Sequence, residues 1–394
     1  MPWSCATAAS IKGTMKNSFC LRVRSLTLVA ALVAGVSFFA FPPRAVCADD
    51  HPKRVDANGT VYVPALAVPL SNFLSPEARK GTAAYFNFLN SPAIEMFSLN
   101  ADVASVGERR KQFAAHFEPI WERAKVLYPT QSTPATMGGV YVDVIVPKAG
   151  IAPKNKDRVL INLHGGGFVM GARVMGALES VPVAALGRIK VVTVDYREGP
   201  ENKFPAASED ATAVYRELLK TYKASNIGIY GCSAGGVLTA ETVAWIAKEK
   251  LARPGAVGIF CASAGGWAGG DSAYLSAPLI GMAPSDPTKE RHPSISDVAY
   301  FSDADFNDPL VAPASSPSVM ARFPPTLILT STRDAAASSA VHTHALLVKA
   351  GVDAELHMWE GLPHGFFTFE PDFPESREAW DAAVKFFDRH LGEH

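Results

Sequence analysis

Surplus charge is the first thing this chain of 394 residues lacks: 37 Lys and Arg stand against 38 Asp and Glu, a formal net charge of −1. Proteins that hold nucleic acid or an anionic membrane through their electrostatic field carry a clustered basic surplus, so neither partner is expected. Cysteine is also scarce. Of five cysteines, Cys5, Cys20 and Cys47 fall in the first 48 residues, which leaves Cys232 and Cys261 for the rest. Two thiols do not make a disulfide framework. Both end runs of strand character that could be neighbours, so a bridge between them and a pair of buried free thiols both stay open. No cluster with metal-ligand spacing is visible, since His342 and His344 alternate on a helical stretch and their side chains diverge. A phosphate loop is missing too: the glycines from Gly165 to Gly167 are not followed by Lys and Ser/Thr, and no Gly-x-Gly-x-x-Gly spacing occurs. No metal cluster is expected, and no internal repeat is evident.

The front of the chain reads as a targeting segment. Lys12, Lys16, Arg22 and Arg24 form a basic region, Ser25 to Phe41 is uncharged and mostly apolar, and Val46-Cys47-Ala48 supplies small residues before Asp49-Asp50. This is the plan of a secretory signal peptide over residues 1–48, cleaved after Ala48, with Met15 as an alternative start. An uncleaved anchor is the competing reading, but the apolar run is slightly short of the roughly 20 residues that span a bilayer. The mature protein is therefore expected to be secreted or periplasmic, with no membrane association after cleavage.

Residues 49–136 show no convincing strand and are expected to form an N-terminal helical cap region. Ser75-Pro76-Glu77 is a good helix start, with serine capping and proline at the first helical position. Glu108 to Tyr128 carries Phe113, Phe117, Ile120, Trp121, Ala124 and Leu127 at helical spacing, and Pro119 is expected to kink or divide it. Residues 137–394 have another texture. Strand-like runs at Val140–Val146, Arg158–Leu163, Lys190–Asp195, Asn226–Tyr230, Ala256–Phe260, Thr326–Thr330 and Ala354–Met358 alternate with helical runs at Ala177–Gly187, Ala206–Lys223, Val237–Lys250, Ala335–Ala350 and Pro374–Leu391. Short apolar strands separated by helices predict an α/β fold, a mostly parallel sheet covered on both faces. Gly265 to Pro325 is too interrupted by glycine, proline, serine and aspartate for any period, which suits an insertion that covers or shapes a site.

In such sheets chemistry gathers at the carboxyl ends of the strands. There lies Gly231-Cys232-Ser233-Ala234-Gly235-Gly236, where a strand turns sharply into a helix and only glycine-sized neighbours leave room. A serine hydroxyl needs a base, an orienting carboxylate and donors for the oxyanion. His364 follows the last strand and is the expected base. Asp334 follows the strand Thr326–Thr330 and is the expected acid, with the cap of the next helix as its other reading and Asp303, Asp305 and Asp308 as fallback acids. The run His164-Gly165-Gly166-Gly167-Phe168 offers backbone N–H groups unobstructed by side chains, so Gly166 and Gly167, with Ala234, are the expected oxyanion donors. His164 is expected to brace that loop. Ser263 is set aside as nucleophile, because Cys261 stands where the strained turn wants glycine.

Together with Asp195-Tyr196-Arg197, Gly199-Pro200-Glu201 and Phe204-Pro205-Ala206-Ala207, these motifs resemble the hormone-sensitive-lipase-like branch of the α/β-hydrolases, from about Val140 to the C-terminus. The resemblance implies an α/β-hydrolase catalytic domain over residues 137–394, no cofactor, and a small-molecule ester with a short or medium acyl group. It supports Ser233 as nucleophile, His364 as base, Asp334 as orienting acid, and Gly166, Gly167 and Ala234 as oxyanion hole. The chain departs from the family at Cys232, where aspartate is usual, at Ala335-Ala336-Ala337-Ser338 after the acid, and between Gly265 and Pro293. The expectation is an exported serine carboxylic-ester hydrolase that works through an acyl-enzyme and loses activity below about pH 6.5, where a histidine base gains its proton. A lactonase, amidase or deacetylase would use the same machinery, and a catalytically silent binding protein would keep the fold without it. A homodimer is left open.

Overall fold

Runs such as Val159–Leu163 and Ala256–Phe260 bury every side chain, which a strand achieves only when both faces of its sheet are covered. The computed structural model describes residues 54–62, 67–99, 102–265, 269–280 and 298–392. The chain divides into two compact units: residues 1–54 with 61–65, and residues 55–60 with 66–394. All elements named below belong to the second. The expected signal peptide lies outside the described residues.

Eight strands form one sheet. They are β1 (Thr130–Met137), β2 (Val140–Pro147), β3 (Val159–Leu163), β4 (Lys190–Val194), β5 (Ile227–Cys232), β6 (Ala256–Phe260), β7 (Thr326–Arg333) and β8 (Ala354–Pro363). Their order is β8-β7-β6-β5-β3-β4-β2-β1. The six from β3 to β8 pair in parallel, while β2 joins β4 antiparallel and β1 pairs with β2 as a hairpin. Helices α3 (Val174–Gly187), α4 (Ala206–Leu218), α5 (Ala234–Lys248), α6 (Ala337–Lys349) and α7 (Pro374–His390) connect or follow the strands. After β3 the chain moves outward to β4 and then returns to β5 on the other side of β3. The loops after β3 and β5 therefore diverge from neighbouring strand ends, which is where α/β sheets place ligands. The register puts Leu163 opposite Gly231 and Cys232 opposite Phe260, so both loops leave the sheet at one level.

Ahead of the sheet come α1 (Pro76–Leu89) and α2 (Val106–Leu127). Ser75 caps α1 as expected, its hydroxyl accepting from Ala78 N at 3.1 Å. Two expectations for this region need correction. Helix α2 continues through Pro119 without dividing, with Phe113, Phe117 and Ala124 buried on both sides of it. Packing of that apolar stripe outweighs one lost hydrogen bond. Residues 130–137 do form a strand, β1, although the region to residue 136 showed no strand character. It is an edge strand exposed along most of its length, so it carries no apolar alternation to be read, and Pro134 is tolerated there because it lies at the sheet's margin. Arg110 ties α2 to the loops after β3 and β4: it donates to Val169 O in the first and Gly199 O in the second, each at 2.8 Å, and lies 3.2 Å from the buried carboxylate of Glu198. Among the described residues no helix is long and apolar enough to cross a membrane.

Candidate active site

Ser233 sits where β5 becomes α5, with φ 57° and ψ −122°, a conformation that L-residues adopt only under constraint. The constraint is packing. A Cβ on Gly235 would come 1.7 Å from Leu163 O, so the helix enters this close to β3 only without a side chain there. Ser233 N donates to Phe260 O at 2.8 Å, which fastens the turn to β6. The N–H groups of Ala234 and Gly235 open the helix and have no acceptor within it. They confer partial positive charge on the space beside the serine.

The glycine loop after β3 passes directly over this turn: a Cβ on Gly165 would lie 3.0 Å from Cys232 O and 3.5 Å from Ser233 Cβ. Gly166 has φ +121°, and a Cβ there would meet Met170 O at 1.7 Å. His164 braces the loop as expected. It is buried, stacks on Tyr196 at 4.2 Å between centroids, and places Nδ1 2.8 Å from Gly165 O, while the Tyr196 hydroxyl donates to His164 O at 2.7 Å. Burial lowers its pKa and keeps the ring neutral, which suits a strut.

Two strands further along the sheet, Asp334 leaves the end of β7 with no accessible surface. Its Oδ1 accepts from Ala336 N at 2.8 Å and its Oδ2 from the Thr330 hydroxyl at 3.0 Å. His364, just beyond β8, places Nδ1 2.8 Å from Asp334 Oδ1. Burial alone would raise the Asp334 pKa, but His364 and the hydrogen bonds outweigh it and the net shift is downward. For His364 burial works against the charge, yet Asp334 and, less strongly, Glu179 lift its pKa above 6.5. With Nδ1 engaged, Nε2 is the nitrogen left to handle a proton. Among the described residues no hydrogen bond joins it to Ser233 Oγ, a looseness common in active sites without substrate. Asp334 is not the capping residue of α6, which begins at Ala337 with Ala336 before it, but its Oδ1 does hold Ala336 N at that helix start. The fallback acids are elsewhere occupied: Asp303 pairs with Lys203 at 2.6 Å on the surface, and Asp305 and Asp308 hold local turns.

Cys232 and Cys261 are free, buried thiols. Cys261 Sγ accepts from Gly365 N at 3.3 Å, and a sulfur, a carboxylate oxygen and a ring nitrogen of Cys261, Asp334 and His364 lie within 4.8 Å of one another. These three have ligand types a soft metal would accept, but Asp334 and His364 already satisfy each other and the sulfur already has a donor.

Glu179 was not foreseen. It is buried in α3 below the glycine loop, accepting from Gly165 N at 2.8 Å, Asn162 Nδ2 at 3.0 Å and Cys232 N at 3.3 Å. The signal was present: it is the single charged residue of an otherwise apolar helix. From α1, ahead of the sheet in the chain, Tyr85 stacks against Phe88 and Phe369, and burial, helped by Glu370 and Asp334, raises its pKa. An aromatic wall thus approaches the Asp334–His364 pair.

Residues 160–368 match the family model described as the alpha/beta hydrolase fold. The chain is 28% identical over 253 residues to an acetyl-hydrolase of Streptomyces hygroscopicus, which covers 62% of this chain and 80% of that protein. It is 28% identical over 285 residues to the esterase LipU of Mycobacterium tuberculosis, covering 65% and 87%. The crystal structure of an esterase superposes with a TM-score of 0.72 at 26% identity, covering 84% of this chain and 98% of that one. An esterase from the bacterial hormone-sensitive lipase family superposes with a TM-score of 0.65 at 25% identity, covering 81% and 99%.

Proposed function

The chain belongs to the α/β-hydrolase fold family, in its hormone-sensitive-lipase-like branch of serine ester hydrolases, and on that footing we propose that it cleaves small carboxylic esters through an acyl-enzyme on Ser233. His364 removes the proton from the Ser233 hydroxyl as it attacks the acyl carbonyl, and returns it to the departing alcohol. Asp334 holds the ring with Nδ1 protonated and stabilises the imidazolium that forms. The N–H groups of Gly166, Gly167 and Ala234 receive the negative charge of the tetrahedral oxygen. Water then repeats the cycle on the acyl-enzyme and releases the acid.

The observation that carries this reading is the 2.8 Å contact of His364 with a fully buried Asp334, at the same end of the sheet as a serine with φ 57°. Aromatic side chains of the cap, Tyr85 and Phe88 with Phe369, support an apolar acyl group over a charged one. Ser233→Ala tests the assignment. It should lower hydrolysis of p-nitrophenyl butyrate by roughly 10³ or more with the fold retained; an active variant would remove Ser233 from the mechanism.

The proposal includes export. Its support is the basic, apolar and small-residue succession of residues 1–48. N-terminal sequencing of protein recovered outside the cytoplasm should begin at Asp49, and an intact leader on that protein would contradict cleavage after Ala48.

A further inference from the structure

A carboxylate without solvent is costly to keep unless its oxygens are met by donors. Glu179 has no accessible surface, and all three of its partners are N–H groups: Gly165 N on Oε1, and Asn162 Nδ2 and Cys232 N on Oε2. Asn162 has no freedom to present its oxygen instead, because that oxygen accepts from the Thr193 hydroxyl at 2.8 Å. The donor set therefore calls for the ionised carboxylate. A protonated carboxyl, or an amide, would turn one donor against another.

Two of these donors matter for chemistry. Gly165 opens the glycine loop after β3, and Cys232 immediately precedes Ser233. One side chain from α3 thus grips both backbone segments. The residue before the serine is itself a thiol, so the carboxylate beside the turn comes from a neighbouring helix. We propose that Glu179 is a positioning residue: its carboxylate fixes the separation between the glycine loop and the nucleophile turn, and with it the aim of the loop's N–H groups at the acyl oxygen on Ser233. The inference rests on the assignment of Ser233 as nucleophile and of Gly166, Gly167 and Ala234 as oxyanion donors. An apolar side chain here would leave the Gly165, Cys232 and Asn162 N–H groups buried without an acceptor, so the carboxylate also stabilises the fold, and only a readout specific to the transition state separates the two roles.

Burial pushes the Glu179 carboxyl up to about 8. The titratable groups that face it are His364 from beyond β8, Tyr196 and His164 beside the glycine loop, and Tyr230 and Cys232 of β5. Burial raises both tyrosines and keeps His164 neutral; the hydrogen bond from Cys261 acts to lower Cys232, but burial and nearby acids leave it raised. Both Glu179 and His364 are thus raised, the carboxyl by burial and the imidazole by Asp334 against the effect of burial.

Glu179→Gln in the mature chain tests the proposal, with p-nitrophenyl butyrate as substrate and a trifluoromethyl ketone as mimic of the tetrahedral adduct. The expected result is a kcat lowered roughly 10-fold or more, approaching the 10²–10³ of a lost oxyanion donor, with KM within about twofold. Affinity for the trifluoromethyl ketone should fall by the same factor as kcat/KM, while the plain methyl ketone binds as before. Glu179→Asp, which keeps the charge, should recover part of the loss. A kcat within about twofold of the parent, or a loss confined to KM and thermal stability with the ketone unaffected, overturns the proposal. If Glu179→Gln does not fold, Glu179→Asp decides: it keeps the charge but shortens the reach to Gly165 N and Cys232 N, so kcat and trifluoromethyl ketone affinity should fall together with KM little changed, and values equal to the parent's overturn the proposal. An active Ser233→Ala would instead bring down the underlying assignment, whatever Glu179→Gln does.

Discussion

Asp334 Oδ1 lies 2.8 Å from His364 Nδ1, and the carboxylate that makes this contact is also held by Ala336 N and the Thr330 hydroxyl. An anion fastened at two points besides the imidazole does not follow the ring, so the imidazole orients to it. The tautomer with Nδ1 protonated follows directly, and Nε2 is the nitrogen left to handle a proton.

The same contact sets the pH dependence. Asp334 raises the His364 pKa above 6.5 against the effect of burial, and a general base works only when neutral. Activity should be lost as pH falls through that raised value, so the acid limb of kcat/KM belongs above 6.5 rather than at it. Asp334→Asn should lower kcat by roughly 10³–10⁴ by presenting the wrong tautomer. Measured pH profiles and rates on a p-nitrophenyl ester check both, and a midpoint below 6.5 in the wild type would count against His364.

Gly166→Ala should damage activity and stability together. Its φ of +121° and the Met170 carbonyl, 1.7 Å from where the Cβ would fall, both oppose a side chain. Strained backbone alone costs about 1–3 kcal/mol, and a displaced oxyanion donor about 10²–10³ in kcat. Gly107→Ala is the control, since nothing lies within 4 Å of a Cβ there and it sits in α2. Thermal melts and rates should separate the two variants, and a Gly166→Ala enzyme of normal rate would exclude the loop from oxyanion binding.

Cys232 and Cys261 should resist alkylation in the native state. Both are buried, and burial pushes the Cys261 thiol well up, away from the reactive thiolate. Iodoacetamide followed by peptide mass analysis should show both unmodified before denaturation and both modified after it, in protein never exposed to reductant. A bridged pair, or modification of folded protein, would disagree with the structure.

Much of the site was legible because each residue sits at a strand end, and strand ends are marked by where apolar runs stop. Ser233 after β5, Asp334 after β7 and His364 after β8 follow that rule. Strand β1 was hidden because an exposed edge strand needs no apolar face, and its partner β2 supplies the pattern instead. Pro119 misled because local propensity counts one lost hydrogen bond, whereas the buried stripe of Phe113, Phe117 and Ala124 acts over the whole helix. Glu179 was visible as a lone charge in an apolar helix, but its partners are backbone N–H groups, which every sequence carries alike.

The sequence by itself determined the alternation of strands and helices, the strained turn at Ser233, and the order of serine, aspartate and histidine, because all of these are written in local periodicity and glycine placement. Only the tertiary structure decided which strand ends share one level, that Cys232 and Cys261 remain separate thiols, and that a carboxylate from α3 joins the glycine loop to the serine turn. Those are relations between segments distant in the chain. They arise when the sheet assembles and burial obliges each polar group to find a partner.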